Sequence, residues 1–179
     1  MSQIESGHAQ PALTDLILGK LDIPFTQARA ASLALFAFKS GVIFDHIRRD
    51  RPPFFDRNSR HAFRESLTIP ERVNMWMAGF APMGRGEVFS MYHTGTMPNG
   101  AGLEMYVCTY SIGHFVFQVG AVRNDVQTFS PQSEGFDYLS VPFWPRLPDK
   151  LLWPLGDVLR SADQLQAFAE RWRDVRVWI

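Results

Sequence analysis

The spacing of hydrophobic residues divides the chain into a helical part and a strand-like part. Up to residue 72 the apolar positions recur at three- and four-residue intervals, which is the period of an amphipathic helix. Over residues 73–144 apolar and β-branched residues alternate with polar ones between turn formers, which is typical of strands. Residues 145–179 supply a proline-rich connector and a last helical stripe. The pattern predicts one α+β domain over residues 1–179: N-terminal helices packed on one face of a four- to five-stranded antiparallel sheet, plus a C-terminal helix.

Capping residues and prolines mark where each predicted helix begins and ends. Four helices are expected: 11–19, with Pro11 in its first turn; 27–47, capped by Thr26; 59–67, capped by Asp56 or Asn58; and 162–173, capped by Ser161. The second is long and apolar enough to be the central buried helix, through Ala28, Ala31, Leu35, Phe38 and Val42. Its apolar run is interrupted by Lys39 and Gly41, so no membrane span is predicted.

The longest strand-like stretch, residues 103–121, is expected to form a β-hairpin. Its loop would be Ser111-Ile112-Gly113, because glycine accepts a positive φ. Further strands are predicted at Val73–Phe80, Glu87–Thr94 and Phe136–Trp144, the last at an edge because Pro142 has no N–H to donate. One face of the hairpin would carry Leu103, Met105, Val107 and Thr109 with Phe115, Phe117, Val119 and Ala121. This apolar face is expected to lie against the helices.

The opposite face of the predicted hairpin carries polar and aromatic side chains and is a candidate ligand pocket. Its members are Tyr106, Cys108, Tyr110, His114 and Gln118. Aromatic rings on a sheet can stack on a flat ligand, so a small-molecule-binding protein or an unrecognised enzyme is one open alternative. The other is that the C-terminal helix covers these side chains and the face belongs to the core.

Charge is balanced overall but uneven along the chain. Eighteen Lys and Arg offset eighteen Asp and Glu. Residues 39–85 nevertheless hold nine cations and five acids, whereas residues 87–145 hold one cation and five acids. The cations around the Pro52-Pro53 turn form a candidate nucleic-acid-binding surface: Lys39, Arg48, Arg49, Arg51, Arg57, Arg60 and Arg64. Guanidinium groups on one surface suit phosphate contacts. The alternative is a solvated face with local ion pairs to Asp50, Asp56 and Glu65.

Motifs of known catalytic and metal chemistry are absent from the sequence. The glycines at 84–86 and 100–102 lack the lysine and the strand-to-helix context of a phosphate loop. The histidines are scattered, and the single cysteine, Cys108, excludes an internal disulfide and an all-cysteine zinc site. The sequence therefore predicts no catalytic residue, no metal and no cofactor, which leans against an enzyme. One cysteine and no signal peptide favour the cytoplasm.

The C-terminal stretch Val175–Ile179 is apolar and follows the last predicted helix closely. It is expected either to pack on the domain or to dock a partner. In the second case the chain is a protein-interaction module, which is a further open alternative.

Three stretches resemble the C-terminal region of bacterial HNH-endonuclease-like proteins of unassigned function. They are residues 1–5 leading to 11–19, residues 35–55 through the Pro-Pro-Phe-Phe turn, and Tyr106–Gln118 with its Thr-Tyr-Ser-Ile-Gly-His core. In those proteins a nuclease module bearing cysteine and histidine precedes a region like this one. This chain has neither the Cys-x-x-Cys pair nor the His-Asn-His arrangement, so the resemblance transfers no catalytic residue.

The resemblance implies a non-catalytic accessory domain. Its partner would be nucleic acid or a nuclease, bound through the arginine-rich surface, with no membrane involved. Met1 falls where the nuclease module of those proteins would end. The chain is therefore expected to be either a truncated reading frame or a stand-alone descendant.

Overall fold

The order of elements along the chain agrees with the predicted α+β fold, with helices first, strands next and a helix near the end. The computed structural model describes residues 10–18, 23–84, 86–97, 100–123, 128–131, 136, 138–146, 152–153, 157–173 and 175–178. The elements are α1 (Gln10–Ile17), β1 (Ile23–Pro24), α2 (Gln27–Ile47), α3 (Arg57–Ser66), β2 (Val73–Gly84), β3 (Val88–Thr96), β4 (Gly102–Val122), β5 (Thr128–Pro131), β6 (Ser140–Trp144), β7 (Leu152–Trp153), β8 (Val158–Leu159), α4 (Ala162–Glu170) and β9 (Val175–Trp178). The predicted helix end at Gly19 and the last residue, Ile179, lie outside the described residues.

Side-chain oxygens cap three helices as predicted: Thr26 for α2, Asp56 for α3 and Ser161 for α4. Each accepts the N–H three residues further on, at 3.2, 2.7 and 3.2 Å respectively. Such a cap stabilises a helix by about 1 kcal/mol. Of the two capping residues predicted for α3, Asp56 is the one that caps the helix. The helix begins two residues before its predicted start.

The main sheet has five strands in the order β3-β4-β2-β6, with β8 added beside β2. Every pairing in the four-strand path is antiparallel, and β8 pairs with β2 in parallel. β6 contains Pro142 and ends the path, so the predicted edge position is confirmed. Two smaller pairs, β1–β7 and β5–β9, lie outside this sheet. The second of these places the C-terminal stretch in a strand ladder.

Residues 102–122 form one long strand, β4, so the predicted hairpin at 103–121 is wrong. The N-terminal half pairs with β3, where Val88 lies opposite Tyr110. The C-terminal half pairs with β2, where Gly79 lies opposite Phe115. Gly113 does adopt a positive φ, 57°, but the chain continues through it without reversing. Two neighbouring strands each offer β4 a ladder of hydrogen bonds, and this pairing outweighs a local turn preference.

The two faces of β4 exchange between Tyr110 and Phe115. Before the exchange the side chains that pack toward α2 are at even positions, Tyr106 to Tyr110. After it they are at odd positions, Phe115 to Ala121. A one-residue change in the alternation moves every following side chain to the other face. The predicted apolar face is therefore split, and Met105 packs with the cluster on the opposite side of the sheet.

Helix α2 approaches the sheet closely through small residues. Its buried residues are Ala30, Leu33, Ala34, Ala37, Phe38, Gly41, Val42 and Asp45. Of the predicted stripe, Phe38 and Val42 are buried, but Ala28 is exposed. A Cβ on Gly41 would lie 3.5 Å from Val119. The face of α2 that contacts the sheet is therefore the one that carries its small residues. α2 is long and apolar enough to cross a membrane. The buried core helix of a domain often has the same length and composition.

Helix α4 covers the face of the sheet that points away from α2. The apolar stripe predicted for residues 162–173 is buried, with Leu165, Phe168 and Ala169 in α4 and Trp172 just after its end. The sheet residues that it contacts include Ala78, Phe80 and Val116. The neighbours of these residues in sequence, Met77 and Phe117, belong to the cluster under α2. The sheet therefore lies between two helical layers.

Candidate functional site

The arginine-rich turn between α2 and α3, residues 48–56, is held on the domain by aromatic rings. Phe54 and Phe55 are buried, as predicted. The Phe55 ring meets Phe38 of α2 edge-on, with 5.2 Å between centroids. The Phe54 ring stacks on Tyr106 of β4 at 5.9 Å. The turn is thus attached to both the central helix and the longest strand.

A buried ion pair fixes the same turn from inside. The Asp45 carboxylate is fully enclosed. It accepts NH2 of Arg51 at 2.9 Å and the backbone N–H of Phe55 at 2.9 Å. The Arg51 guanidinium also lies over the rings of Tyr92 and Tyr106, 4.8 and 5.4 Å from their centroids. Because its charge and its flat face are both in use, Arg51 acts as a structural cation.

Arg48 also turns toward the protein. Its Nε and NH2 donate to the two oxygens of the Asp50 carboxylate at 2.9 and 2.6 Å. Its NH1 donates to the backbone carbonyl of Ser90 in β3 at 2.9 Å. The hydrogen bond between the two side chains lowers the pKa of Asp50 and raises the pKa of Arg48. Arg48 therefore forms a local ion pair with Asp50, which was the alternative to phosphate binding.

Helix α3 is held by its cap and by one aromatic side chain. The hydrogen bond from the first-turn N–H lowers the pKa of the capping carboxylate of Asp56. Phe63 is the one buried residue of α3, and its ring meets Phe38 edge-on at 4.7 Å. Arg60 points back to the turn, where its NH1 donates to the carbonyl of Phe55 at 2.9 Å. The rest of the helix faces solvent.

Three of the predicted cations are open to solvent: Arg49, Arg57 and Arg64. None of them forms an ion pair or a hydrogen bond within the part of the chain that the structure describes. Glu65, an expected counter-ion on α3, pairs with His61 at 3.3 Å. The other four candidate cations are in contact with the protein: Lys39, half-buried in α2, Arg48, Arg51 and Arg60.

Arg123 joins the turn to the sheet, although the sequence prediction of the surface did not include it. Its NH1 donates to the Glu104 carboxylate at 2.6 Å. Its NH2 donates to the carbonyls of Pro53, at 3.3 Å, and Phe54. The Tyr92 hydroxyl donates to the same carboxylate at 2.9 Å, and this bond lowers the pKa of Glu104. One signal in the sequence was available, because Arg123 is the single Lys or Arg between positions 87 and 145.

Three residues of the candidate pocket lie sealed beneath α2. Tyr106, Cys108 and Tyr110 are each at most 1% exposed. The tyrosine hydroxyls donate to the carbonyls of Gly41 and Ala37 at 3.1 and 3.2 Å. Burial raises the pKa of both tyrosines and raises the pKa of the Cys108 thiol to about 12. These three residues therefore line no ligand pocket, because the central helix occupies the space over them.

The other two pocket candidates lie elsewhere in the fold. His114 Nδ1 is 3.1 Å from the carbonyl of Phe80. Gln118 is buried on the α4 side, where its Nε2 donates to Thr109 Oγ1 at 2.7 Å. Its Oε1 accepts from Nε and NH2 of Arg171 at 3.0 and 2.7 Å. The sequence could not indicate this polar contact, because its partners are 53 residues apart.

Within the described residues, no three His, Cys, Asp or Glu side chains are grouped in a way that could hold a metal ion. Comparisons with protein-family models, with curated proteins and with solved structures give no match.

Proposed function

We propose that the chain is a non-catalytic accessory domain that binds nucleic acid through Arg49, Arg57 and Arg64. The observation that supports this most is that these three guanidinium groups are exposed and uncommitted within the described residues. Neighbouring arginines meanwhile hold the turn in place. A guanidinium group contacts phosphate oxygens bidentately, and each such contact adds a salt-sensitive, sequence-independent increment of affinity.

The geometry of α3 suits this role. Arg57 and Arg64 are seven residues apart, so they project from one side of the helix, about 10 Å apart along its axis. The Asp56 cap and the Phe63 contact hold the helix on the domain. Arg49 follows the end of α2 and lies at the other end of the same turn. Two of the three exposed cations are thus carried by a capped helix, which lowers the entropy lost on binding.

The resemblance to the C-terminal region of HNH-endonuclease-like proteins supports the same role. In this proposal the cleavage step belongs to a nuclease partner, and the arginines hold the nucleic-acid backbone. The purified chain should bind nucleic acid without cutting it. Cleavage that copurifies with the chain through every step would contradict the accessory role.

The test is binding to labelled duplex and single-stranded oligonucleotides over a series of salt concentrations. For a duplex, each phosphate contact contributes about 0.9 to the slope of log K against log salt. The variant Arg49→Ala/Arg57→Ala/Arg64→Ala should therefore bind more weakly, with a slope reduced by about 2 to 3. The matched control is Arg146→Ala/Arg160→Ala/Arg173→Ala, which removes the same charge from exposed positions elsewhere.

The two triple variants separate a local surface from a net-charge effect. The proposal requires the control to keep most of the affinity and slope of the parent chain. Equal losses in both variants would mean that only the total charge matters. Parent-like binding by the first variant, or no binding by the parent chain at low salt, would also overturn the proposal.

A further inference from the structure

The imidazole of His93 holds a buried nitrogen that the fold does not satisfy. Its Nε2 is enclosed and has no hydrogen-bond partner among the described residues. Burial lowers the pKa of this histidine. A buried polar atom without a partner needs an explanation, and an ion that binds there is one. In the neutral tautomer with the proton on Nδ1, Nε2 directs a lone pair inward and is ready to act as a ligand.

The strand register places two methionines beside His93. Met105 lies directly opposite in β4, where cross-strand Cβ atoms are about 5 Å apart. Met91 is two positions earlier in β3, so its side chain leaves the same face of the sheet. Met105 is fully buried, and Met91 packs against the cluster that contains it. The three side chains therefore occupy neighbouring positions on one face of the sheet.

The rest of this cluster is apolar, and one of its members, Met97, carries a further thioether. The cluster also includes Trp76 and Trp172, whose ring centroids are 4.8 Å apart, and Val107. Burial alone accounts for the shifted pKa of His93, without a contribution from a neighbouring charge. Hard divalent ions require oxygen ligands, whereas thioether and imidazole ligands in an apolar setting favour a soft ion. A low charge also limits the cost of burial.

We propose that His93 Nε2 and the sulfur atoms of Met91 and Met105 form a binding site for Cu(I). The three neutral ligands would surround the monovalent ion. Trp76 and Trp172 of the same cluster would screen its charge from water. Thioethers fall outside the set of His, Cys, Asp and Glu side chains that ordinarily signals a metal centre. The site is on the α4 side of the sheet and does not depend on the arginine surface.

The experiment uses Ag(I) as a redox-inert substitute for Cu(I), titrated into the full chain. Tryptophan fluorescence reports binding, because Trp76 and Trp172 belong to the same cluster. All measurements are made with Cys108→Ala, since a thiol also binds soft ions. The test variant is Met91→Leu/Met105→Leu, which conserves apolar volume, removes the two proposed thioether ligands and keeps Met97 of the same cluster. The control is Met75→Leu/Met77→Leu, at buried positions on the α2 side.

The proposal requires saturable quenching at one equivalent of Ag(I). Mutating residues that only support metal ligands typically lowers affinity 10- to 100-fold, about 1.4 to 2.7 kcal/mol. The test variant, which removes two ligands, should lose at least as much affinity. The control should bind like the parent chain, and a chelator competition with Cu(I) should rank the variants in the same order. No saturable binding at micromolar Ag(I) would overturn the proposal. Equal affinity in the test variant and the parent chain would overturn it too, because the two thioethers would then not be ligands.

Discussion

Glu104 and Arg123 are joined twice, although they are 19 residues apart, one near the start of β4 and the other directly after its end. The Arg123 N–H donates to the Glu104 carbonyl at 3.1 Å, and Arg123 NH1 donates to the Glu104 carboxylate at 2.6 Å. A flat strand of that length would span about 60 Å. β4 must therefore coil strongly for its ends to meet, and the turn at residues 48–56 covers the junction through Arg123.

Removing the Arg123 side chain should destabilise the fold. Arg123→Ala loses the Glu104 ion pair, two bonds to backbone carbonyls and the contact with the Phe54 ring. Because the pair is partly exposed, we expect a decrease in the free energy of unfolding of about 1–2 kcal/mol, measured in urea. Arg173→Ala, which removes an exposed pair with Glu170, should change it by less than about 0.5 kcal/mol. Equal effects would contradict a special role for the strand junction.

The Asp45–Arg51 pair should show strong coupling. Arg51→Met leaves the fully buried Asp45 carboxylate without its cation, and the expected loss is about 3–5 kcal/mol. Asp45→Asn/Arg51→Met removes both charges and should recover part of that loss. A double-mutant cycle in urea measures the coupling. Additive single effects would show that the two charges do not stabilise each other.

Gly113 should resist substitution for a conformational reason. Its φ of 57° is left-handed, and an added Cβ would lie 3.4 Å from Ile17. Gly113→Ala should therefore cost about 1–2 kcal/mol. Gly95→Ala is the control, because a Cβ there meets no atom within 4 Å and its backbone is not left-handed. Similar unfolding midpoints for the two variants would argue against a strained passage through β4.

The Cys108 thiol should be chemically silent in the folded chain. Burial raises its pKa to about 12, and the thiolate is the reactive form. We expect no reaction with a disulfide reagent at pH 8 in buffer and complete reaction in denaturant. The rate in buffer should then follow the opening of the fold as urea is added. Rapid native-state labelling would mean that α2 does not seal this face.

Stability should decrease below neutral pH because of His93. Burial lowers its pKa below the ordinary 6.5, so the unfolded chain takes up a proton that the folded chain does not. The contribution is complete above about pH 6.5 and is lost as the pH falls. Carboxylates with lowered pKa values, such as Glu104, lose theirs only below about pH 4.5. The free energy of unfolding should fall from pH 7 to pH 5, and His93→Leu should flatten that fall. An unchanged slope in the variant would assign the effect to another group.

Elements whose signals are local could be predicted from the sequence. Thr26, Asp56 and Ser161 begin helices because a cap needs only an N–H three residues away. Pro142 places β6 at an edge because it removes one backbone donor, whatever the rest of the chain does. The apolar stripe of α4 is buried as predicted, since a helix of this composition must cover one face.

Long-range packing makes residues 102–122 one strand and leaves some arginines of the turn without a partner among the described residues. A glycine at a possible turn adds about 1 kcal/mol of local preference, and two neighbouring strands outweigh it by pairing along the whole length of β4. The sequence has six arginines in and beside one turn. Their roles depend on which hydrogen-bond acceptors lie near them in the folded chain. Arg48 and Arg51 find carboxylates within hydrogen-bond reach, whereas Arg57 finds none among the described residues. A local pattern cannot contain that information, because distances between remote residues exist only in the folded chain.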